Sequence, residues 1–176
     1  MDPQITLVLG GARSGKSRFA LSQVPAAGSV FIATALAQDE EMKLRIEKHR
    51  QSRPPGWKTQ ETPYALAETL QTAANRSDSI LLVDCLTLWL SNLFCGIGGP
   101  ALSSAQIESK IEELRKTLPQ LKGRILLVSN EVGWGLVPDN PLGREFRDQQ
   151  GRLNQAIAEV SDNIFLLVAG IAQKIK

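Results

Sequence analysis

The chain has 176 residues, of which 43% are hydrophobic and 22% are charged, and its formal net charge is +2 at pH 7. These values are typical of one globular domain, so we expect residues 1–176 to form a single domain. The small net charge gives no support for a nucleic-acid partner, and the N-terminus lacks the features of a secretory signal peptide, so we expect a cytoplasmic protein.

Short apolar runs recur along the chain without the alternation of half-exposed strands, which predicts strands covered on both faces. They occupy residues 5–10, 29–34, 79–84, 124–129 and 163–170, and residues 57–61 predict one further short strand. Helix-like stretches lie between them, at residues 16–24, 39–52, 64–75, 86–95, 103–117 and 141–161. This alternation predicts an α/β fold with a mainly parallel sheet covered by helices on both faces.

Residues 80–99 form a long apolar stretch, which Asp84, Ser91 and Asn92 interrupt. We expect a buried strand followed by a buried helix, and no membrane span. Cys85 and Cys95 have neither a C-x-x-C spacing nor the spacing of metal ligands, so we expect two small buried side chains.

The first predicted strand runs directly into GGARSGKS, residues 10–17, which matches the phosphate-loop pattern G-x-x-x-x-G-K-[ST]. In such a loop the backbone N–H groups converge on phosphate oxygens at the start of a helix. Lys16 would reach the outer phosphates, and the Ser17 hydroxyl would hold Mg²⁺. Because a strand precedes the motif and a helix follows it, we predict a nucleotide site in a P-loop NTPase-like fold.

A phosphate loop needs an acidic residue at the end of a neighbouring strand, and Asp84 follows the apolar residues 80–83. We expect Asp84 to be the second metal ligand. The alternative is that Asp84 only caps the helix that begins at Leu86.

Two classes of nucleotide protein are disfavoured. The segment nearest to a guanine-reading NKxD motif, SNEVG at residues 129–133, does not provide it, which argues against a GTPase switch. A nucleic-acid motor would need a basic binding surface that is not evident. A small phosphotransferase or a related group-transfer enzyme remains.

The single histidine, His49, lies in a predicted helix with Met42, Arg45, Ile46 and Arg53 on the same face. Flanking cations favour the neutral imidazole and attract a triphosphate, so the position suits a nucleophile that attacks an α-phosphate. On this spacing alone, a solvated histidine on a charged helix is the stronger alternative.

The sequence resembles the bifunctional adenosylcobinamide kinase / adenosylcobinamide-phosphate guanylyltransferases of cobalamin biosynthesis over nearly its whole length. The resemblance is carried by LGGARSGKSRFA, IATA, RIEKHRQSRPPGWKTQE, SNEVGWGLVPDNPLGREFRDQQGRLNQ and the ending VAGIAQKIK. The combination of a phosphate loop with H-x-x-x-R-P-x-x-W-x-T-x-E and N-E-V-G-x-G is highly specific.

The resemblance implies two reactions. ATP or GTP phosphorylates the amino-propanol hydroxyl of adenosylcobinamide. GTP then guanylylates a histidine with loss of pyrophosphate, and the GMP passes to adenosylcobinamide phosphate to give adenosylcobinamide-GDP. The guanylylated histidine of the family falls on His49, which makes His49 and Lys16 the expected catalytic residues.

The resemblance also implies a set of nucleotide contacts, in which Ser52 stands where some relatives carry glycine. They are Gly10, Gly11, Ala12, Arg13, Ser14, Gly15, Lys16, Ser17, Ala33, Thr34, Ala35, Arg50, Gln51, Ser52, Arg53, Glu61 and Asp84. Ser17 and Asp84 are the expected metal ligands. Family resemblance further suggests a homo-oligomer, such as a trimer.

Several roles stay open at the level of sequence. Trp57 is either a stacking surface for a base or a buried residue that closes a loop. Glu131 either orients the attacking hydroxyl or binds metal through water, or it forms a structural salt bridge. Of Arg144, Arg147 and Arg152, one or two would contact phosphate at most, and the alternative is a solvated or interface face.

Two rival functions also stay open. The first is a kinase of another small alcohol in which His49 is inert. The second is a regulatory module that binds nucleotide without turnover. Covalent labelling by GTP separates the predicted enzyme from the first, and transfer of phosphate to a corrinoid separates it from the second.

Overall fold

The computed structural model of the chain describes residues 3–24, 28–37, 40–51 and 55–176. Its strands are β1 (Gln4–Gly10), β2 (Ser29–Ala33), β3 (Lys58–Glu61), β4 (Ile80–Asp84), β5 (Arg124–Val128), β6 (Asn163–Val168) and β7 (Ile171–Lys174). Its α-helices are α1 (Lys16–Ser22), α2 (Glu40–Gln51), α3 (Leu66–Ala73), α4 (Leu86–Cys95), α5 (Ser104–Thr117) and α6 (Pro141–Val160). Short 3₁₀-helices occupy Leu118–Gln120 and Val132–Trp134.

Within the described ranges the strands form one seven-stranded sheet in the order β3-β2-β4-β5-β1-β6-β7. All neighbouring strands are parallel except β6 and β7, which pair antiparallel. The predicted α/β fold is therefore confirmed. The sequence did not predict β7, which forms an edge of the sheet.

Two hydrophobic clusters cover opposite faces of the sheet. On β1, Leu7 and Val8 are both fully buried, yet Leu7 packs with α3 to α6 whereas Val8 packs with α1. Successive side chains of a strand point to opposite faces, so a strand between two helical layers buries every residue. The lack of alternation in the apolar runs reflects this arrangement.

The order of the central strands brings one rim of the sheet together. Strand β5 lies between β1 and β4, and Val128 pairs with Val8 on one side and with Asp84 on the other. The carboxyl ends of three parallel strands therefore meet at the rim where the phosphate loop begins. This end of an α/β sheet is the usual place for a ligand.

The apolar residues 80–99 form strand β4 and helix α4, as predicted, and α4 has 10 residues. Among the described residues there is no helix whose length and hydropathy would suit a bilayer crossing.

A glycine fixes the turn before β5. Gly123 has φ +86°, and a Cβ added there would lie 2.1 Å from the backbone oxygen of Ser79. We expect Gly123→Ala to lower the free energy of unfolding by about 2–5 kcal/mol, because it adds a backbone clash to a left-handed conformation. Urea unfolding measures the change.

Gly151 provides the matched control for this prediction. It lies inside α6, and nothing lies within 4 Å of an added Cβ. Gly151→Ala should raise the free energy of unfolding by about 0.5–1 kcal/mol through helix propensity. Equal effects of the two substitutions would contradict the clash at Gly123.

Candidate nucleotide site

The phosphate loop follows β1 and leads directly into α1. Gly10, Arg13 and Gly15 have positive φ values of 150°, 57° and 96°. A Cβ at Gly10 would lie 2.5 Å from the Leu167 oxygen and 2.7 Å from Ser14 Oγ, so the first loop position has no room for a side chain. The loop curls back on itself, since the Ser14 N–H donates to the Gly11 oxygen over 3.3 Å.

Lys16 opens α1 and is only 7% exposed. Its Nζ donates to the Gly11 oxygen at 2.6 Å, across the loop. Burial lowers the pKa of Lys16, and the neighbouring Cys85 and Asp84 oppose that shift. Among the described residues Lys16 Nζ has a neutral acceptor as its hydrogen-bond partner and no salt bridge, and a desolvated cation of this kind is well prepared to bind phosphate oxygens.

Asp84 ends β4 beside this lysine. Its Oδ2 is buried and has no hydrogen-bond partner among the described residues. The capping alternative is not supported, because the N-cap residue of α4 is Cys85 and no side chain caps that helix. An orphaned carboxylate oxygen that shares a cavity with Ser17 suits Mg²⁺, which commonly takes one or two protein oxygens and completes its shell with phosphates and water. The residues present therefore fit the metal.

A cavity of about 640 Å³ opens at this rim, and we call it the rim cavity. It is lined by Ala12, Arg13, Ser14, Gly15, Lys16, Ser17, Arg18, Phe31, Ala33, Ala35, Met42, Ile46, Arg50, Thr59, Glu61, Asp84, Cys85, Leu88, Val128, Asn130, Ala169 and Gly170. Eleven of the predicted nucleotide contacts are in this set: Ala12, Arg13, Ser14, Gly15, Lys16, Ser17, Ala33, Ala35, Arg50, Glu61 and Asp84. The structure thus brings together the loop, the end of β2, the end of β3 and α2.

Four predicted contacts do not line the rim cavity. Thr34 is fully buried, and its Oγ1 donates to the Cys85 oxygen at 2.7 Å and accepts from the Cys85 N–H at 2.9 Å. Gly10 has no room for a side chain, and the Gly11 oxygen accepts from Lys16 Nζ, so both glycines act on the loop conformation. Gln51 is exposed and donates to Glu47 Oε1 at 3.2 Å. Because its hydroxyl bonds to Cys85, the residue after Asp84, Thr34 supports the strand end that carries Asp84.

The remaining predictions fall on parts of the chain that are not described. Ser52 and Arg53 lie outside the described residues. The backbone of His49 belongs to α2, whose Met42, Ile46 and Arg50 line the rim cavity, but its side chain is not described.

The sequence-based predictions missed the turn between β6 and β7 as part of this site. Ala169 and Gly170 line the rim cavity, and the Gly170 N–H donates to the Ser14 oxygen at 2.9 Å. The signal in the sequence was the pair Ala169-Gly170 after an apolar run, which is typical of a tight turn. Asn130 also lines the cavity. The sequence places Asn130 and Glu131 at a strand end that faces the phosphate loop, but it suggested a specific role for Glu131 only.

Glu131 does not line the rim cavity. Its Oε1 accepts from Asn154 Nδ2 at 3.0 Å, and its backbone N–H donates to the Gly10 oxygen at 3.1 Å. Among the described residues we find no salt bridge to Glu131. The carboxylate is therefore held by an amide rather than by a cation.

The three arginines of α6 are engaged away from the rim cavity. Arg144 donates to the oxygens of Pro138 and Asp139 at 3.1 and 2.8 Å. Arg147 donates to the Gly133 oxygen at 2.5 Å. Arg152 pairs with Glu108. These contacts stiffen the loop before α6 and join α6 to α5.

The cysteine prediction is half wrong. Cys85 is buried, and burial together with the charge of Asp84 raises the pKa of its thiol to about 12. Cys95 is exposed. It lies on α4 opposite the buried face that Leu86 and Leu90 form, so helical periodicity explains its exposure.

Trp57 packs rather than faces the site. Its ring lies 6.4 Å from that of Phe31, and its Nε1 is buried without a hydrogen-bond partner in the described part of the chain. Trp57 is half-buried and does not line the rim cavity, so the geometry favours a packing role over a stacking surface for a base.

The chain matches known proteins over nearly its whole length. Residues 6–175 match the family described as cobinamide kinase / cobinamide phosphate guanyltransferase. The bifunctional adenosylcobalamin biosynthesis protein CobP of Pseudomonas aeruginosa is 46% identical over 97% of this chain and 96% of its own length. The proteins named CobU of Salmonella typhimurium and Escherichia coli are each 40% identical over 97% of this chain and 98% of their own lengths.

A solved structure shares the fold. The P4 protein from bacteriophage phi6 in complex with ADP superimposes with a TM-score of 0.52 at 12% identity, over 97% of this chain. This chain spans 54% of the phage protein. The likeness supports the P-loop NTPase-like fold and nothing finer.

The fold and the rim cavity together define a P-loop transferase that uses nucleotides. The chain belongs to the cobinamide kinase / cobinamide phosphate guanyltransferase family. The family predicted from the sequence motifs, and with it the prediction of an enzyme, is confirmed.

Proposed function

We propose that this chain catalyses both reactions of its family: it phosphorylates adenosylcobinamide with ATP or GTP, and it then transfers GMP from GTP to adenosylcobinamide phosphate. The observation that carries the proposal is the rim cavity, where the phosphate loop, Asp84 and helix α2, which contains His49, meet. A plain kinase would need the first two features only.

In the kinase step the hydroxyl oxygen of adenosylcobinamide attacks the γ-phosphorus of the nucleotide. The bond from that phosphorus to the β,γ-bridging oxygen breaks, the nucleoside diphosphate leaves, and the hydroxyl proton is released to solvent. Lys16 lies at the start of α1 and is nearly buried, so its charge acts on the phosphate oxygens with little screening by water. Ser17 and Asp84 would hold Mg²⁺, which neutralises charge on the phosphates. Positioning and electrostatic stabilisation are the main contributions of a protein to such a transfer.

In the second reaction an imidazole nitrogen of His49 attacks the α-phosphorus of GTP, and pyrophosphate leaves. The P–N bond then breaks when a phosphate oxygen of adenosylcobinamide phosphate attacks the same phosphorus, which restores His49. Arg50 follows His49 in the chain and lines the rim cavity, which supports a role for its guanidinium in binding the phosphates of GTP.

The test uses two labels on purified protein with Mg²⁺. With adenosylcobinamide and ATP labelled on the γ-phosphate, we expect label in the corrinoid. With adenosylcobinamide phosphate and GTP labelled on the α-phosphate, we expect label first on the protein and then in the corrinoid. Transfer of the γ-label alone would leave a kinase of this alcohol, and absence of both transfers would sink the proposal.

We also propose that residues 1–176 act as one domain in the cytoplasm, within a homo-oligomer such as a trimer. Exposed apolar side chains offer a surface for contact between copies, among them Trp134, Leu136 and Val137 in the loop after β5. The mass of the particle in solution tests the oligomer.

A further inference from the structure

The chain beyond β5 continues alongside the phosphate-loop strand. The Ser129 N–H donates to the Val8 oxygen at 3.0 Å, and the Glu131 N–H donates to the Gly10 oxygen at 3.1 Å. Asn130 lies between these two bonds, beside the residue at which the phosphate loop begins. Since β5 is also the neighbour of β4, Asn130 stands between the phosphate loop and the strand of Asp84.

Alternation along this segment separates its side chains. Val128 and Asn130 line the rim cavity. Ser129 and Glu131 point to the other face, where both bond to Asn154 of α6. The structure therefore presents the carboxamide of Asn130, and not the carboxylate of Glu131, to the site.

A buried polar network holds the backbone of Asn130. Asn154 is 5% exposed, and its Nδ2 donates to the Asn130 oxygen at 3.0 Å. Its Oδ1 accepts from Ser129 Oγ at 2.7 Å and from the fully buried Gln150 at 2.9 Å. On the other side, the Asn130 N–H donates to Thr87 Oγ1 at 2.9 Å. Networks of this kind fix a segment because each lost bond leaves a buried group unpaired.

The side chain of Asn130, in contrast, has no hydrogen-bond partner among the residues that the structure describes. A rigid backbone that aims an unengaged amide into a cavity is suited to bind a ligand. The inner phosphates of a nucleotide lie against the N–H groups of the loop and the start of α1. The side of the cavity between β1 and β4, which Lys16 and Asp84 both line, is left for the terminal phosphate.

We propose that Asn130 Nδ2 donates a hydrogen bond to the terminal phosphate of a bound nucleoside triphosphate, and that Asn154 is the positioning residue that holds Asn130 in place. This inference rests on the nucleotide site of the proposed function and assigns it a residue that distinguishes triphosphate from diphosphate. No proton is transferred, since the amide is a neutral donor that complements the charge of Lys16.

The test is calorimetric binding of ADP and of the non-hydrolysable β,γ-imido analogue of ATP, each with Mg²⁺. Asn130→Ala should weaken binding of the triphosphate analogue about 10-fold or more and leave ADP binding within about twofold, because a bond to a charged group is lost only with the former. Asn130→Asp should weaken binding of the analogue further, because the new carboxylate repels the terminal phosphate. Asn163→Ala is the control, because Asn163 is a half-buried asparagine at the start of β6 that does not line the cavity.

Asn154→Asp tests the positioning role. The substitution keeps an acceptor toward Ser129 and replaces the donor to Asn130 by an oxygen, so the ratio of analogue to ADP affinity should fall as it does in Asn130→Ala. A wild-type ratio in both Asn130 variants would overturn the inference while the nucleotide site stands. A wild-type protein that binds neither nucleotide would overturn the inference and the proposed function together.

Discussion

His49→Ala is expected to abolish the covalent label that GTP carrying a radioactive α-phosphate leaves on the protein, by at least about 10³-fold. The imidazole nitrogen is the proposed nucleophile, and alanine offers no atom that could replace it. His49 is the only histidine of the chain, so no second imidazole can take over. Transfer of the γ-phosphate to adenosylcobinamide should continue, because the phosphate loop and Asp84 are unchanged.

The chemistry of the label provides a second readout. A phosphoramidate is labile in acid and stable in alkali, so the label on the wild type should disappear in acid. Lys43→Ala is the matched control on the same helix, since Lys43 is exposed and pairs only with Glu40 among the described residues. That variant should be labelled like the wild type. Persistent label on His49→Ala, with wild-type thermal stability, would contradict the assignment of the nucleophile.

Much of the fold could be predicted because its strands are covered on both faces. Continuous apolar runs such as residues 80–83 and 125–128, set between helical patterns, are typical of strands in a doubly covered parallel sheet. Strand β7 was not predicted because its sequence, IAQK, has no apolar run, and Ile171 is exposed at the edge of the sheet. Its position depends on the hairpin with β6 and not on burial of its own side chains.

The site was predictable where a motif carries the chemistry, as in Lys16 and Ser17, and where a strand end places a carboxylate, as in Asp84. The site was less predictable where the direction of a side chain depends on which face of the sheet a helix covers. Alternation shows that Asn130 and Glu131 point to opposite faces, but only the packing of α1 and α6 decides which of them meets the phosphate loop.

The buried position of Thr34 also depends on tertiary structure rather than on the local sequence. Its hydroxyl bonds to Cys85 across 51 residues of sequence, at the junction of β2 and β4. A contact of this range depends on the order of the strands, which the local pattern around Thr34 does not carry.

Lys16→Met should reduce both phosphate transfer to the corrinoid and labelling by GTP about 10²–10³-fold, since one preorganised cation at the phosphates is lost. Binding of the triphosphate should weaken too. Arg18→Met is the control for charge alone, because Arg18 lines the same cavity but is exposed. Rates of Lys16→Met within about tenfold of the wild type would show that Lys16 does not contact the transferred group.

The same substitution should make the nucleotide-free protein more stable, which separates lost function from lost structure. Burial lowers the pKa of Lys16, so at pH 7 the folded protein holds a cation that it disfavours, and methionine removes that cost. We expect the free energy of unfolding to rise by roughly 1 kcal/mol.

The pH dependence of unfolding tests the same cause. Between the lowered pKa of Lys16 and its ordinary value of 10.5, the wild type binds fewer protons when folded than when unfolded. Its stability therefore rises with pH relative to the variant, and the advantage of Lys16→Met should shrink between pH 7 and about pH 10 in urea unfolding. A difference that grows with pH would mean that burial does not disfavour the charge, and Lys16 would then be held in a salt bridge rather than kept unpaired for phosphate.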